Sequence, residues 1–124
     1  MREIIRRHRI SFKNAFAGLF WALTSQPNFR IHLTLAAAAV ILGLYLGISR
    51  IEMALIVFAI SLGLTAEMIN TSLEAMCDLI THEWRTEAKI AKDVSAGMML
   101  IAAIATVTVA FFVFWPYFRL KFSG

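Results

Sequence analysis

Three long, almost uncharged apolar stretches constrain this chain more than any other feature. Ile31 to Ser49 and Val94 to Trp115 contain no Asp, Glu, Lys or Arg, and Ile51 to Ala66 contains only Glu52. Each approaches the roughly 20 apolar residues needed to cross a hydrocarbon core. A single domain of 124 residues, 60% hydrophobic with mean hydropathy +0.73, cannot bury that much apolar surface in water. Lipid offers no partners to unpaired backbone groups, so spans of this length must be helical. The expectation is one all-α membrane domain over 1–124.

The first 30 residues are of a different kind. Phe12, Phe16, Leu19, Phe20 and Leu23 recur at helical spacing, and Arg6, Arg7, Arg9 and Lys13 lie at the start. That pattern predicts an amphipathic surface helix over about 2–25, lying in the interface with its basic end among anionic headgroups. It lacks the compact apolar core and small-residue cleavage site of a signal peptide, so it is expected to remain in the mature protein. Pro27 should break it, because proline has no amide donor and disfavours helix in the residue before it. After a turn, membrane helices are expected over about 31–48, 51–80 and 87–115. The second overshoots the core, so its polar end, Glu67 to Asp78, should reach the headgroups or the cytoplasm.

Nine basic residues flank the N-terminal side and the second loop (Arg2, Arg6, Arg7, Arg9, Lys13, Arg30, Arg85, Lys89, Lys92), against Arg50, Arg119 and Lys121 on the other side. This bias predicts a cytoplasmic N-terminus and an external C-terminus. The net charge of +4 is spread around the spans and forms no groove-sized patch, so phospholipid, not nucleic acid, is the expected anion. Cys77 has no partner for an internal disulfide and suits a packing role. His8, His32 and His82 lack zinc-site spacing. No GxxxxGK[ST] loop is present, which excludes a P-loop nucleotide site.

Chemistry concentrates in Glu67, Asn70, Glu74 and Asp78, at i, i+3, i+7 and i+11 of mostly apolar sequence. At about 100° per residue they form one stripe spread over roughly 80°. Acids at a helix end ordinarily reach for water, which suffices for Asp78. Glu67, near the membrane boundary, needs a polar cavity. A second cluster, Ala91 to Gly97, places Lys92 and Asp93 level with the stripe. Lysine there is often an ordinary snorkelling flank. Taken with the stripe, however, it completes the parts that phosphoryl transfer requires: carboxylates for a divalent metal, a cation for phosphate and a base for the acceptor hydroxyl. A proton- or ion-coupled transporter or channel subunit is the alternative, but its relay acids belong near mid-bilayer and these gather at one end. A purely structural membrane partner leaves the stripe without a task.

These residues carry a resemblance to the prokaryotic diacylglycerol kinase family, which includes undecaprenol kinases. The pattern ExxNTxxExxxD is matched by Glu67, Asn70, Thr71, Glu74 and Asp78. AKDxxAG is matched by Ala91, Lys92, Asp93, Ala96 and Gly97, and Asn28 to His32 looks like the family's NFRIH segment. The resemblance implies an ATP- and Mg²⁺-dependent lipid kinase of the bacterial inner membrane. It also implies a homotrimer with active sites shared between neighbours. By position, Glu67 resembles the general base, Glu74 a magnesium ligand, and Asn70, Lys92 and Asp93 the groups around the ATP phosphates. Trp84 and Arg85 lie where the family contacts nucleotide, although an interfacial tryptophan anchor serves Trp84 equally. Where the family has a glutamate that shares the metal, this chain has Gln26, with one negative charge less. For the acceptor alcohol, Gly18 and Asn28 to His32 look slightly more like the undecaprenol branch than the diacylglycerol branch.

Overall fold

The structure, a computed structural model, describes residues 1–122, the side chains of Arg2, Glu3, Ile5, Arg7 and Phe122 excepted. Four helices follow in order: α1 (Arg2–Ser25), α2 (Pro27–Leu46), α3 (Arg50–Ile80) and α4 (Thr86–Phe122). The last three are long and apolar enough to cross a membrane.

Two expected boundaries are corrected. No separate turn intervenes between α1 and α2, and the second helix starts at Pro27 instead of near Ile31. Proline is at its first position, where a missing amide donor leaves no intrahelical bond unmade. Only Gln26 is extended (φ −104°, ψ 108°), as the residue before a proline should be, and its amide still donates to the Ala22 carbonyl at 2.9 Å. At the other end α4 does not stop near Trp115 but runs through Pro116 to Phe122. Proline removes one donor, and the turn beyond it is held by tertiary bonds. The Tyr117 hydroxyl donates to Glu52 on α3 at 2.6 Å, and Lys121 donates to the Tyr45 hydroxyl on α2 at 2.8 Å.

The α2–α3 connection shows how local chemistry sets a tight antiparallel turn. Gly47 takes the left-handed conformation (φ 66°), the Ile48 amide donates to the Gly43 carbonyl at 3.1 Å, and the Gly47 amide donates to Leu44. This is a Schellman end, completed by the Ile48 side chain lying over Gly43. Ser49 then starts α3 with a reciprocal capping box: its hydroxyl accepts from the Glu52 amide while the Glu52 carboxylate accepts from the Ser49 amide.

α3 and α4 form the most extensive pairing, α2 packs on α3, and α1 packs on α2. Between apolar helices in lipid the hydrophobic effect contributes little, so small residues and hydrogen bonds hold the pair. Ala59, Gly63, Ala66 and Ala102 are buried along this seam, and the Thr106 hydroxyl lies 3.1 Å from the Ala59 carbonyl. Toward the end where α3 starts and α4 finishes, Ile56, Val113 and Phe114 form a small core.

The glycines make this packing testable. A β-carbon at Gly63 would sit 3.6 Å from Thr106 Oγ1, an ordinary contact, whereas one at Gly43 would lie 2.8 Å from Ile48 Cδ1 and 2.9 Å from Met53 Cε. Gly63→Ala should therefore change stability by less than about 0.5 kcal/mol. Gly43→Val should cost about 1–3 kcal/mol through overpacking. Reversible unfolding in mixed detergent micelles measures both.

Candidate functional site

The polar stripe of α3 continues the row that packs the helix on α4. Ile56, Ala59, Gly63, Glu67 and Asn70 follow at steps of three or four and are all buried. Antiparallel packing answers each step along α3 with a step back along α4. Glu52 meets Tyr117, Ala59 meets Thr106, Asn70 meets Ser95 and Asp78 meets Lys92. The predicted acids are thus carried to one end of a single helix–helix seam, the end where α3 stops and α4 begins.

At the deep end Glu67 is only 3% exposed. It has no hydrogen-bonding partner among the described residues, and His32 on α2 and Glu74 lie within electrostatic reach. One turn on, Asn70 is also buried. Its Nδ2 donates to Glu74 Oε1 at 3.1 Å, and its Oδ1 accepts from the Ser95 hydroxyl at 2.5 Å. At the open end Lys92 donates to Asp78 at 2.6 Å, and Lys89 pairs with Asp93 one turn before it. Lys92, Asp93, Trp84 and Arg85 share one cleft of about 450 Å³ where α3 ends and α4 begins. Trp84 is 77% exposed there and covers nothing, and Arg85 pairs with Glu83 at 3.0 Å.

A second cleft, of about 420 Å³, lies across α3 from this seam and is lined by Leu19, Phe29, Met68 and Leu73 among others, with only the hydroxyls of Thr65 and Ser72 as polar groups. Phe29 is buried, while Phe16 and Phe20 are largely exposed and do not line it. Gln26 stands one turn before Phe29, at the same end of the molecule as Glu74. Its described side-chain bond is to the Ser25 hydroxyl, and it contacts none of the other candidate residues through a hydrogen bond.

Ser95 and His32 are two groups to which the sequence pattern assigns no chemical role, although His32 falls within the Asn28 to His32 segment. A lone serine in a membrane helix carries no signal of its own. Ser95 is nevertheless in phase with Ala102, Thr106, Val113 and Tyr117, the residues by which α4 meets α3.

Among the described residues, no three His, Cys, Asp or Glu side chains gather closely enough to hold a metal. Glu74 offers one carboxylate, with Oε1 engaged by Asn70. That donor set suits Mg²⁺ brought in on a polyphosphate, since Mg²⁺ keeps its waters and takes one or two carboxylates plus phosphate oxygens. It does not suit an ion caged wholly by one chain.

Residues 13–114 match the family model for prokaryotic diacylglycerol kinase. The chain belongs to that family. It is 39% identical over 101 residues to a diacylglycerol kinase of Synechocystis, covering 81% of this chain but 58% of that protein. It is 31% identical to the undecaprenol kinase of Bacillus subtilis over 93% of this chain and 94% of the relative. With the diacylglycerol kinase of Escherichia coli it shares 27% over 84% and 85%. The prokaryotic diacylglycerol kinase family places it among phosphotransferases that act on an alcohol group, in a multi-pass membrane setting.

The Lys92–Asp78 pair, which ties α4 to α3 at the open end of the seam, is solvent-exposed, with side chains 41% and 58% accessible. Its coupling in a double-mutant cycle, Asp78→Asn with Lys92→Met, should stay below about 1 kcal/mol of unfolding free energy and shrink with added salt. These residues are then available to a ligand without unlocking the fold.

Proposed function

We propose that the chain is an ATP- and Mg²⁺-dependent lipid kinase of the inner membrane, with Glu67 as the base. The observation that carries this reading is a nearly buried carboxylate, without a hydrogen-bonding partner among the described residues, at the deep end of a polar seam. Family membership supplies the reaction class, and the residues supply the division of labour.

ATP phosphates are assigned to the open end of the seam, where Lys92 balances their charge and Asn70 and Asp93 orient them. Trp84 and Arg85 border the nucleotide. Glu74, with Gln26, would hold the Mg²⁺ that accompanies ATP, which would supply charge neutralisation at the phosphate oxygens. The lipid tail is assigned to the apolar cleft lined by Leu19, Phe29 and Met68, which opens on the face of α3 away from Glu67, so its hydroxyl has to pass round that helix to meet the carboxylate. In the transfer step the hydroxyl oxygen bonds to the γ-phosphorus while the bond to the bridging oxygen breaks. ADP leaves with that electron pair, and the proton passes to Glu67. The carboxylate is too weak a base to strip a ground-state alcohol, so proton transfer accompanies bond formation.

Orientation follows the basic residues, with the N-terminus and the site in the cytoplasm and the C-terminus outside. Many large apolar side chains of a single chain are exposed, and among the described residues no three His, Cys, Asp or Glu side chains gather to hold a metal. Both features favour a homotrimer with shared sites. Undecaprenol is the favoured acceptor over diacylglycerol, because a polyprenol lacks ester carbonyls and needs apolar wall more than donors. The cleft around Phe29 is of that kind.

The test separates base from metal ligand. Glu67→Gln should reduce lipid phosphorylation by at least about 10²-fold, the usual share of a general base, while leaving nucleotide affinity and oligomer size unchanged. Glu74→Gln should instead retain turnover at high Mg²⁺ and raise the Mg²⁺ needed for half-maximal rate. Near-normal turnover by Glu67→Gln removes the base assignment.

A further inference from the structure

The hydroxyl of Ser95 is 2% exposed, 2.5 Å from Asn70 Oδ1, and on a different helix from the carboxylate it influences. The direction of every bond in this line is fixed by the last member. An ionised carboxylate only accepts, so the Asn70 group facing Glu74 Oε1 at 3.1 Å must be the amide NH₂. The amide oxygen is then turned toward α4, where it needs a donor. Ser95 is the side chain that supplies it. The same hydroxyl lies 3.1 Å from the Lys92 carbonyl, but it has one proton, and the shorter bond is to Asn70. Were the Asn70 amide reversed, its oxygen would oppose the Glu74 carboxylate, and two acceptors would face each other at 3.1 Å where the seam begins to open.

We infer that Ser95 is a positioning residue for the Glu74 carboxylate: by donating to Asn70 it locks the amide so that Asn70 holds Glu74 Oε1, leaving the other carboxylate oxygen for the cation. The inference rests on the reading of Glu74 as the Mg²⁺ ligand given above. It adds a residue outside that reading, on the opposite helix, and makes metal affinity depend on the α3–α4 seam. Without the hydroxyl the amide is free to reverse, and the carboxylate loses its donor. Groups that orient a metal ligand through a hydrogen bond typically change metal affinity by about 10- to 100-fold when removed.

Ser95→Ala removes the donor, and Ser95→Cys keeps the approximate volume with a much weaker one. Two readouts are needed: the Mg²⁺ dependence of lipid phosphorylation, and direct Mn²⁺ binding by electron paramagnetic resonance with a non-hydrolysable ATP analogue. Both variants should bind Mn²⁺ about tenfold more weakly and need correspondingly more Mg²⁺. The turnover at saturating metal and the KM for lipid should stay within about twofold, because a positioning residue acts through the ligand and not on the reacting atoms. Unchanged Mn²⁺ affinity in Ser95→Cys, alongside weakened binding in Glu74→Gln, overturns the inference while sparing the Glu74 assignment. Unchanged affinity in all three overturns both. Lowered thermal stability with intact metal affinity makes Ser95 a structural residue and equally overturns it.

Discussion

Everything in this molecule depends on the seam between α3 and α4. A helix pair in lipid cannot rely on water to drive it together, so close approach and interhelical hydrogen bonds must do so. One row along α3 serves the whole length. It begins at Glu52 under Tyr117, passes through Ile56, Ala59 and Gly63 against Thr106, and ends at Asn70 and Asp78 against Ser95 and Lys92. The apolar part of the row packs, and the polar part carries the candidate site. Because both share one register, a carboxylate can be carried 3% exposed to the membrane boundary without a separate cavity having to be built for it.

The seam also explains the division of exposure. Glu67 and Asn70 lie where the helices are close, while Glu74, Asp78, Lys92 and Asp93 stand where the pair opens into the connecting segment and its cleft. Deep groups suit proton acceptance from a lipid hydroxyl, and open groups suit a charged nucleotide arriving from water. Little else in the single chain is buried, since α2 and the outer faces of α3 and α4 present apolar side chains outward. Lipid tails and further copies of the chain are the natural cover for them.

Most of the architecture was legible in the sequence because lipid leaves few options: long apolar runs must be helices, and Phe12 to Leu23 at helical spacing must be amphipathic. The boundaries were less so. Pro27 predicts a break followed by a turn, although a proline at the first helical position breaks one helix by starting the next. The expected end near 115 stops just short of Pro116, and only the tertiary bonds of Tyr117 and Lys121 show why the helix continues. The acid stripe is visible from spacing alone, and Glu67 and Asn70 within it are buried. Its partner across the seam is not, because sequence spacing reports which residues share a face but not which residue of another helix lies opposite. Ser95 and His32 became visible only when the register of α3 against α4 and the approach of α2 were known.

The central claim is that this seam transfers phosphate to a lipid and does not conduct ions. It is tested most directly by incubating the purified protein, reconstituted in phospholipid vesicles, with γ-labelled ATP, Mg²⁺ and either undecaprenol or diacylglycerol, and counting label in the extracted lipid. The account predicts Mg²⁺-dependent labelling of the added alcohol, greater for undecaprenol at equal mole fraction. Label remaining in the aqueous phase with both alcohols, together with proton or cation flux across the same vesicles, would contradict it.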